Sequence, residues 1–199
     1  TQKWTLFPYT TLFRSVILTV GKTHSGKTTF ARKLEEKLRG SVVIDQDNHA
    51  EFINTFYRNL LPAEGPNTLK YAISQTILDY AVDQTTYHVI LSNSNRHQKG
   101  RTNIIKYFRA KGLKPILVNF KIPDDILQMR LSESNRSTKI FRSASTFEEV
   151  LAKQNKEVVT EPNEEEADYF FTIHNQKEVD QVISEIIRIS KNEKGGADN

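Results

Sequence analysis

The sequence contains no cysteine. That excludes a disulfide framework, a thiolate zinc site and a catalytic thiol. It also lacks any apolar run approaching the ~18 residues that a bilayer-spanning helix needs. Nothing near its start has the layout of a cleavable signal peptide, so a cytoplasmic location is expected. Charge of one sign is scarce as well: 28 Lys and Arg face 24 Asp and Glu, a formal net charge of +4. A balance this mild, spread along the chain, does not favour a long nucleic acid as partner, and no feature suits a membrane surface. What is present is 199 residues, 37% hydrophobic, 26% charged and 10% aromatic. That is enough for one folded domain with a substantial core.

The first fifteen residues read differently from the rest. The run Leu6-Phe7-Pro8-Tyr9-Thr10-Thr11-Leu12-Phe13-Arg14-Ser15 resembles the conceptual translation of a widely used sequencing-adapter oligonucleotide. The only methionine is Met129, and a clean strand pattern opens directly after the run, at Val16. Residues 1–15 are therefore expected to be an artefactual extension that adds Lys3 and Arg14 to the basic balance. The folded domain is expected over 16–193, with a frayed tail over 194–199. Burial of Trp4, Phe7 and Phe13 would speak against the first of these expectations.

Val16-Ile17-Leu18-Thr19-Val20 suits a strand buried on both faces. A glycine-bearing loop follows, then a helix carrying Phe30, Leu34 and Leu38 at fourfold spacing, with Gly40 as its C′ stop. Val42-Val43-Ile44, ending at Asp45, is the second strand. Residues 50–66 are mixed, broken by Pro62, Gly65 and Pro66. From the N-cap Asn67, the positions Leu69, Ala72, Ile73, Thr76, Ile77, Tyr80 and Ala81 predict one inward helical face. Val89-Ile90-Leu91 is a third strand, running into the polar turn Ser92-Asn93-Ser94-Asn95-Arg96. A helix through Ile104, Ile105 and Phe108 should stop near Gly112. Residues 115–120 form a fourth strand, and Pro123-Asp124-Asp125 opens the next helix with an acidic first turn. Residues 132–146 are polar and rich in Ser and Arg; a helix is expected from about Phe147 to Val158. Tyr169 to Ile173 is a fifth strand, before a helix with Val179, Val182, Ile183, Ile186 and Ile187 inward. Strands alternating with helices predict a parallel α/β sheet covered on both faces.

One motif decides the class. Gly21-Lys22-Thr23-His24-Ser25-Gly26-Lys27-Thr28 fits G-x-x-x-x-G-K-[ST], between a strand and a helix as that motif requires. Glycines let the backbone wrap phosphate oxygens and present successive N–H donors at a helix N-terminus. The expected nucleotide contacts are Gly21, Lys22, Thr23, His24, Ser25, Gly26, Lys27, Thr28 and Thr29. Lys27 brings a point charge to the β- and γ-phosphates, and the Thr28 hydroxyl is the expected Mg²⁺ ligand. The guanine signature N-K-x-D is missing, because the fourth strand ends Val118-Asn119-Phe120-Lys121; ATP is favoured on that ground. The third strand ends in Ser92-Asn93, not in the acid that closes the corresponding apolar run of AAA+ and recombinase-type ATPases.

With these residues the chain resembles the P-loop kinase group that includes phage-type 5′-hydroxyl polynucleotide kinase, zeta-toxin-like kinases and chloramphenicol-phosphotransferase-like enzymes. The resemblance spans roughly residues 16–160. It rests on the phosphate loop, on Asp45-x-Asp47, on the 89–95 segment with Arg101 downstream, and on Arg130 and Arg136. It implies a P-loop NTPase fold: a five-stranded parallel sheet in the order 2-3-1-4-5, helices on both faces, and a small lid over about 132–146. It also implies ATP and Mg²⁺ as cofactors, and transfer of the γ-phosphate to a hydroxyl of an unidentified acceptor. That acceptor is a small molecule, a nucleotide sugar or a polynucleotide 5′-hydroxyl.

Within that frame Lys27, Asp45, Arg130 and Arg136 are the expected catalytic residues. Asp45, Asp47, Asn93, Asn95 and Arg96 are expected on the acceptor. With one residue between them on an extended strand end, Asp45 and Asp47 should point to opposite sides. Asp45 is favoured as the base that meets the acceptor hydroxyl, because Asp47, with Glu51 nearby, can open the following helix. Arg130 and Arg136 would neutralise charge on the transferring group. Asn93 stands where phage-type polynucleotide kinase has an aspartate, and an amide brings no charge. This departure keeps open an alternative, a nucleotide-binding regulatory ATPase or switch without phosphotransfer. Arg96, Lys99 and Arg101 are read as an anion-contacting or plainly exposed cluster, Glu164-Glu165-Glu166 as a solvated turn, and Phe56 and Tyr57 as core, with stacking on an aromatic or base-like acceptor as the alternative.

Overall fold

A computed structural model describes residues 14–141 and 146–192. Five strands form one wholly parallel sheet: β1 (Ser15–Val20), β2 (Ser41–Ile44), β3 (His88–Leu91), β4 (Lys114–Phe120) and β5 (Tyr169–Ile173). Their order is β2-β3-β1-β4-β5, as the resemblance implied. Around them lie α1 (Lys27–Lys37), α2 (Gln46–Phe56), α3 (Thr68–Gln84), α4 (Gln98–Ala110), α5 (Asp124–Ser132), α6 (Phe147–Lys156) and α7 (Glu178–Asn192). Among the described residues no helix is long and apolar enough to cross a membrane.

The period-two alternation of the central strands divides the core in two. Ile17, Ile90, Ile116 and Val118 face α1 and α7, where they meet Phe30, Leu34, Val182, Ile183 and Ile186. Val16, Leu18, Val89, Leu91 and Leu117 face α3 and α4 and meet Ala81, Val82, Ile105 and Phe108. All six residues of β1 are buried, and each large apolar side chain so placed stabilises the fold by about 1.5–3 kcal/mol. The central strand is thereby fixed, and its C-terminal end carries the phosphate loop.

Several elements differ from expectation. β1 starts at Ser15, one residue before the apolar run. Arg14 is tied in as well, its guanidinium donating to the carbonyls of Val82 (2.7 Å) and Thr85 (2.9 Å). Those carbonyls lie at the C-terminus of α3, where a cation is favoured; a contact across 68 residues leaves no local trace in the sequence. Trp4, Phe7, Phe13 and the tail over 194–199 lie outside the described residues. The stretch read as mixed from residue 50 is helical from Gln46, because Asp45 caps it by accepting the Asp47 N–H.

The inward face of α3 also differs from the expected one. Ser74, Ala81 and Val82 are buried, while Ile77 and Tyr80 of the expected face are 37% and 66% exposed. Apolar residues occur on more than one side of this helix, and Ser74 can be buried because its hydroxyl bonds Lys70 O and His49 Nδ1. α6 stops at Lys156, leaving Val158 outside and exposed. Phe56 and Tyr57 are exposed, clustered around the Phe52 ring instead of buried in the core.

Candidate active site

The phosphate loop leaves β1 at Gly21, whose φ of 153° and close approach to Phe120 require glycine: a Cβ there would lie 2.9 Å from Phe120 Cβ. The Gly21 N–H is anchored on Ser94 O at 3.0 Å. Gly26, at φ 100°, is the N-cap of α1 and offers no side chain to the first turn. The opening N–H groups of α1 are therefore available to an anion, with the helix dipole behind them. Lys27 Nζ turns back over the loop, donating to Lys22 O (2.5 Å) and Ser25 Oγ (3.1 Å). Burial lowers its pKa to about 8, against a partly compensating pull from Asp47. Lys22 leaves the loop and pairs with Asp124 at 2.7 Å.

Above the loop opens a cavity of about 730 Å³. Thr23, His24, Gly26, Lys27, Thr28 and Thr29 line its floor; Asp47, Asn93, Arg130 and Arg136 stand around it. The sequence-predicted residues converge in part: Gly21, Lys22 and Ser25 of the loop and, among the five residues expected on the acceptor, Asp45, Asn95 and Arg96 do not line it. Asp45 is 2% exposed beneath the floor, where its carboxylate accepts from Thr28 Oγ1 (3.2 Å) and from the Asp47 N–H (2.9 Å). Asn95 is turned to Thr19 O at 3.0 Å. Arg96 and Arg101 are no exposed cluster. Arg96 is 8% exposed and bonds Glu157 and Gln154 O; Arg101 is wholly buried, in a bidentate pair with Glu166 at 2.8 Å. Glu166 is correspondingly no solvated turn residue but the counter-ion of that guanidinium.

The two acids therefore play unequal parts. Asp45, which was expected to leave capping to its neighbour, is itself the cap of α2. Burial and the nearby Asp47 charge raise its pKa, and the two hydrogen bonds it accepts offset part of that rise. Asp47, in the first turn of α2, faces the cavity and pairs with Arg136 at 2.6 Å. Arg136 also lies 4.8 Å over the Phe147 ring. Arg130 donates to His24 O (3.3 Å) and Ser25 O (3.2 Å), gripping the loop from the cavity side. The His24 ring is clasped between Thr23 Oγ1 and Ser134 Oγ, each at 3.0 Å. Its pKa is lowered by burial first, then by the positive Arg136 and Lys27.

Asn93 holds the two halves together: its side-chain oxygen accepts the Gln46 N–H (3.1 Å) and its carbonyl accepts from Thr19 Oγ1 (3.1 Å). Sequence reasoning missed Lys70, Tyr71, Ile140, Phe141, Phe147 and Gln154, all of which line the cavity. Each comes from an element whose docking, not its local pattern, brings it there. The exception is Ser92, whose place at the end of a buried strand beside the motif was a usable signal; its hydroxyl lies 3.4 Å from Thr28 Oγ1. Arg142, at the edge of the expected lid, lies outside the described residues.

A parallel sheet in this order, with a G-x-x-x-x-G-K-T loop between β1 and α1, defines a P-loop NTPase fold. Residues 16–162 match the model of AAA_33, an AAA domain family, and the chain belongs to that family. Among solved structures it is similar to Chaetomium thermophilum Kti12 in complex with ADP-AlF3 (18% identity, 86% of this chain and 96% of that one, TM-score 0.58). It is also similar to the Mycobacterium tuberculosis APS kinase CysC in complex with AMPPNP and APS (15% identity, 89% and 97%, TM-score 0.55). A sugar kinase from Janibacter sp. HTCC2649 is a third (17% identity, 88% and 93%, TM-score 0.54). No curated protein matches the chain. At these identities the likeness is one of fold, and the fold is a nucleotide-binding one.

Proposed function

We propose that the protein is an ATP-dependent kinase that transfers the γ-phosphoryl group of ATP to a hydroxyl of an acceptor bound beside α2. The observation that carries this reading is the division between the two acids. One carboxylate touches the motif threonine, and a second, two residues on, faces the cavity opposite the loop.

The donor set suits Mg²⁺. Thr28 Oγ1, Asp45 Oδ2 and Ser92 Oγ form a cluster of hard oxygens around the start of α1. Thr28 and Asp45 would hold the ion, and it would supply charge neutralisation at the phosphates. The loop amides and Lys27 hold the β- and γ-phosphates. Asp47 orients the acceptor hydroxyl and takes its proton as the oxygen attacks phosphorus. The assignment moves the acceptor role from Asp45, the residue favoured from sequence, to Asp47. Arg136, already within reach of Asp47, and Arg130 stabilise charge on the transferring group.

The test is to supply Mg²⁺ and γ-labelled ATP with a panel of acceptors: 5′-hydroxyl RNA and DNA, nucleosides, nucleotide sugars, and aminocyclitol- or chloramphenicol-like alcohols. Label should reach one class and be lost in Lys27→Ala and Asp47→Asn. ATP binding without transfer to any of them would favour the regulatory switch, a reading supported by Asn93, whose side-chain oxygen is engaged by Gln46 instead of facing a metal site.

A further inference from the structure

Gln154 is one of a run of polar residues at the end of α6, Lys153-Gln154-Asn155-Lys156, and nothing in its sequence neighbourhood marks it. The structure fixes it twice. Its backbone carbonyl belongs to the end of the helix, where carbonyls have no intrahelical partner, and it accepts from Arg96 Nη2 at 2.8 Å. Arg96 is itself paired with Glu157 at 2.9 Å and receives Arg101 on its own carbonyl. The end of α6 is thus docked onto the turn that follows β3. The side chain is fixed separately, because Gln154 Oε1 accepts the backbone N–H of Thr23 at 2.8 Å.

That second bond settles which way the carboxamide points. A backbone N–H can only donate, so the oxygen must face Thr23 and the NH₂ must face away from it. Gln154 lines the cavity over the phosphate loop, and its NH₂ has no hydrogen-bond partner among the described residues. Two N–H donors are thereby held at the rim of the loop, oriented before any ligand arrives. Donors preorganised in this way act most strongly on charge that develops during reaction.

We propose that Gln154 is a substrate-contacting residue whose Nε2 donates to an oxygen of the transferring γ-phosphoryl group, with Arg96 as the positioning residue that sets the end of α6. The inference rests on the kinase reading for its chemical meaning, but it can be tested on binding alone. Affinities for ADP, and for ADP with aluminium fluoride as a mimic of the transferring group, would be measured by calorimetry. Wild type, Gln154→Glu and Gln154→Met would be compared, with thermal unfolding to show that each variant folds.

Gln154→Glu keeps an acceptor for Thr23 and removes the donors; Gln154→Met removes both. The expected result is ADP affinity within about threefold of wild type in both variants. Affinity for the aluminium fluoride complex should fall at least roughly tenfold, and the turnover of a transferring enzyme by roughly a hundredfold. A normal aluminium fluoride response in Gln154→Glu, with loss only in Gln154→Met, would mean that the side chain merely supports Thr23 and would overturn the proposal. So would a wild type that gains nothing from aluminium fluoride over ADP. A wild type that binds both ligands normally yet transfers to no acceptor would instead count against the kinase reading, while the binding ratios still decide the role of Gln154.

Discussion

On the phosphate side of the cavity, Gly21, Thr23 and Ser25 are each held by hydrogen bonds to other parts of the fold, and Lys27 bonds back onto the loop itself. On the acceptor side the picture is reversed. Phe52, Phe56, Tyr57 and Leu60 at the far end of α2 and its following turn are 46–69% exposed, and Tyr71 on the cavity wall is 50% exposed. The lid meets α2 through polar contacts at the surface: Arg136 to Asp47, Ser137 to Glu51, and Lys139 O to Asn54. One half is made of backbone geometry and buried polar bonds, the other of exposed side chains on a helical hairpin. Under the proposed function the first would hold the nucleotide and the second would meet the acceptor.

If that contrast is right, substitutions in the two regions should behave differently. The largest effect is expected in the buried core. Phe108 is wholly buried between α4 and the sheet, and Phe108→Ala should cost about 3–5 kcal/mol, read as a lowered midpoint in urea. Next is Lys27→Ala. Loss of a charge-assisted contact is worth about 1.5–3 kcal/mol, so ATP affinity should fall roughly tenfold to a hundredfold while the unfolding midpoint does not fall, because the buried ammonium itself costs stability at neutral pH.

A smaller effect comes from titrating the same lysine. Its pKa in the free protein is about 8, and phosphate oxygens favour the ammonium form. ATP affinity should be full below that value and fall as pH rises through it, by roughly tenfold between pH 7 and pH 9. Calorimetry in two buffers of different ionisation heat would show proton uptake on binding. The sign for folding is opposite: with its pKa lowered from 10.5, Lys27 costs stability below pH 8, and that cost is relieved as pH rises. The smallest effect is expected at the tip of α2. Phe56→Ala should change stability by less than about 0.5 kcal/mol, because the ring is 69% exposed. A loss there comparable to that of Phe108→Ala would break the contrast.

The same division explains what the sequence made legible. The phosphate loop could be read because its chemistry needs particular residues at fixed spacing next to a strand and a helix. The strands could be read because a buried parallel sheet demands apolar runs. The roles of Asp45 and Asp47 could not be separated, since the choice depends on α2 starting at Gln46 and on Asp45 capping it. Arg96 and Arg101 looked like surface cations because their partners, Glu157 and Glu166, lie 61 and 65 residues away. The inward face of α3 differs from the expected one because a helix with apolar residues on several sides admits more than one inward orientation. Gln154 carried no signal at all: its position is set by Thr23 and Arg96, neither of them near it in sequence.

The division of labour between the two acids is the central claim, and the Mg²⁺ dependence of phosphotransfer in Asp45→Asn and Asp47→Asn tests it most directly. The account predicts that Asp45→Asn raises the Mg²⁺ concentration needed and recovers much of its rate when Mg²⁺ is in excess. Asp47→Asn should keep the wild-type Mg²⁺ requirement and lose roughly a hundredfold or more in rate at every concentration. The reverse pattern, with Asp47→Asn rescued by Mg²⁺ and Asp45→Asn not, would contradict it.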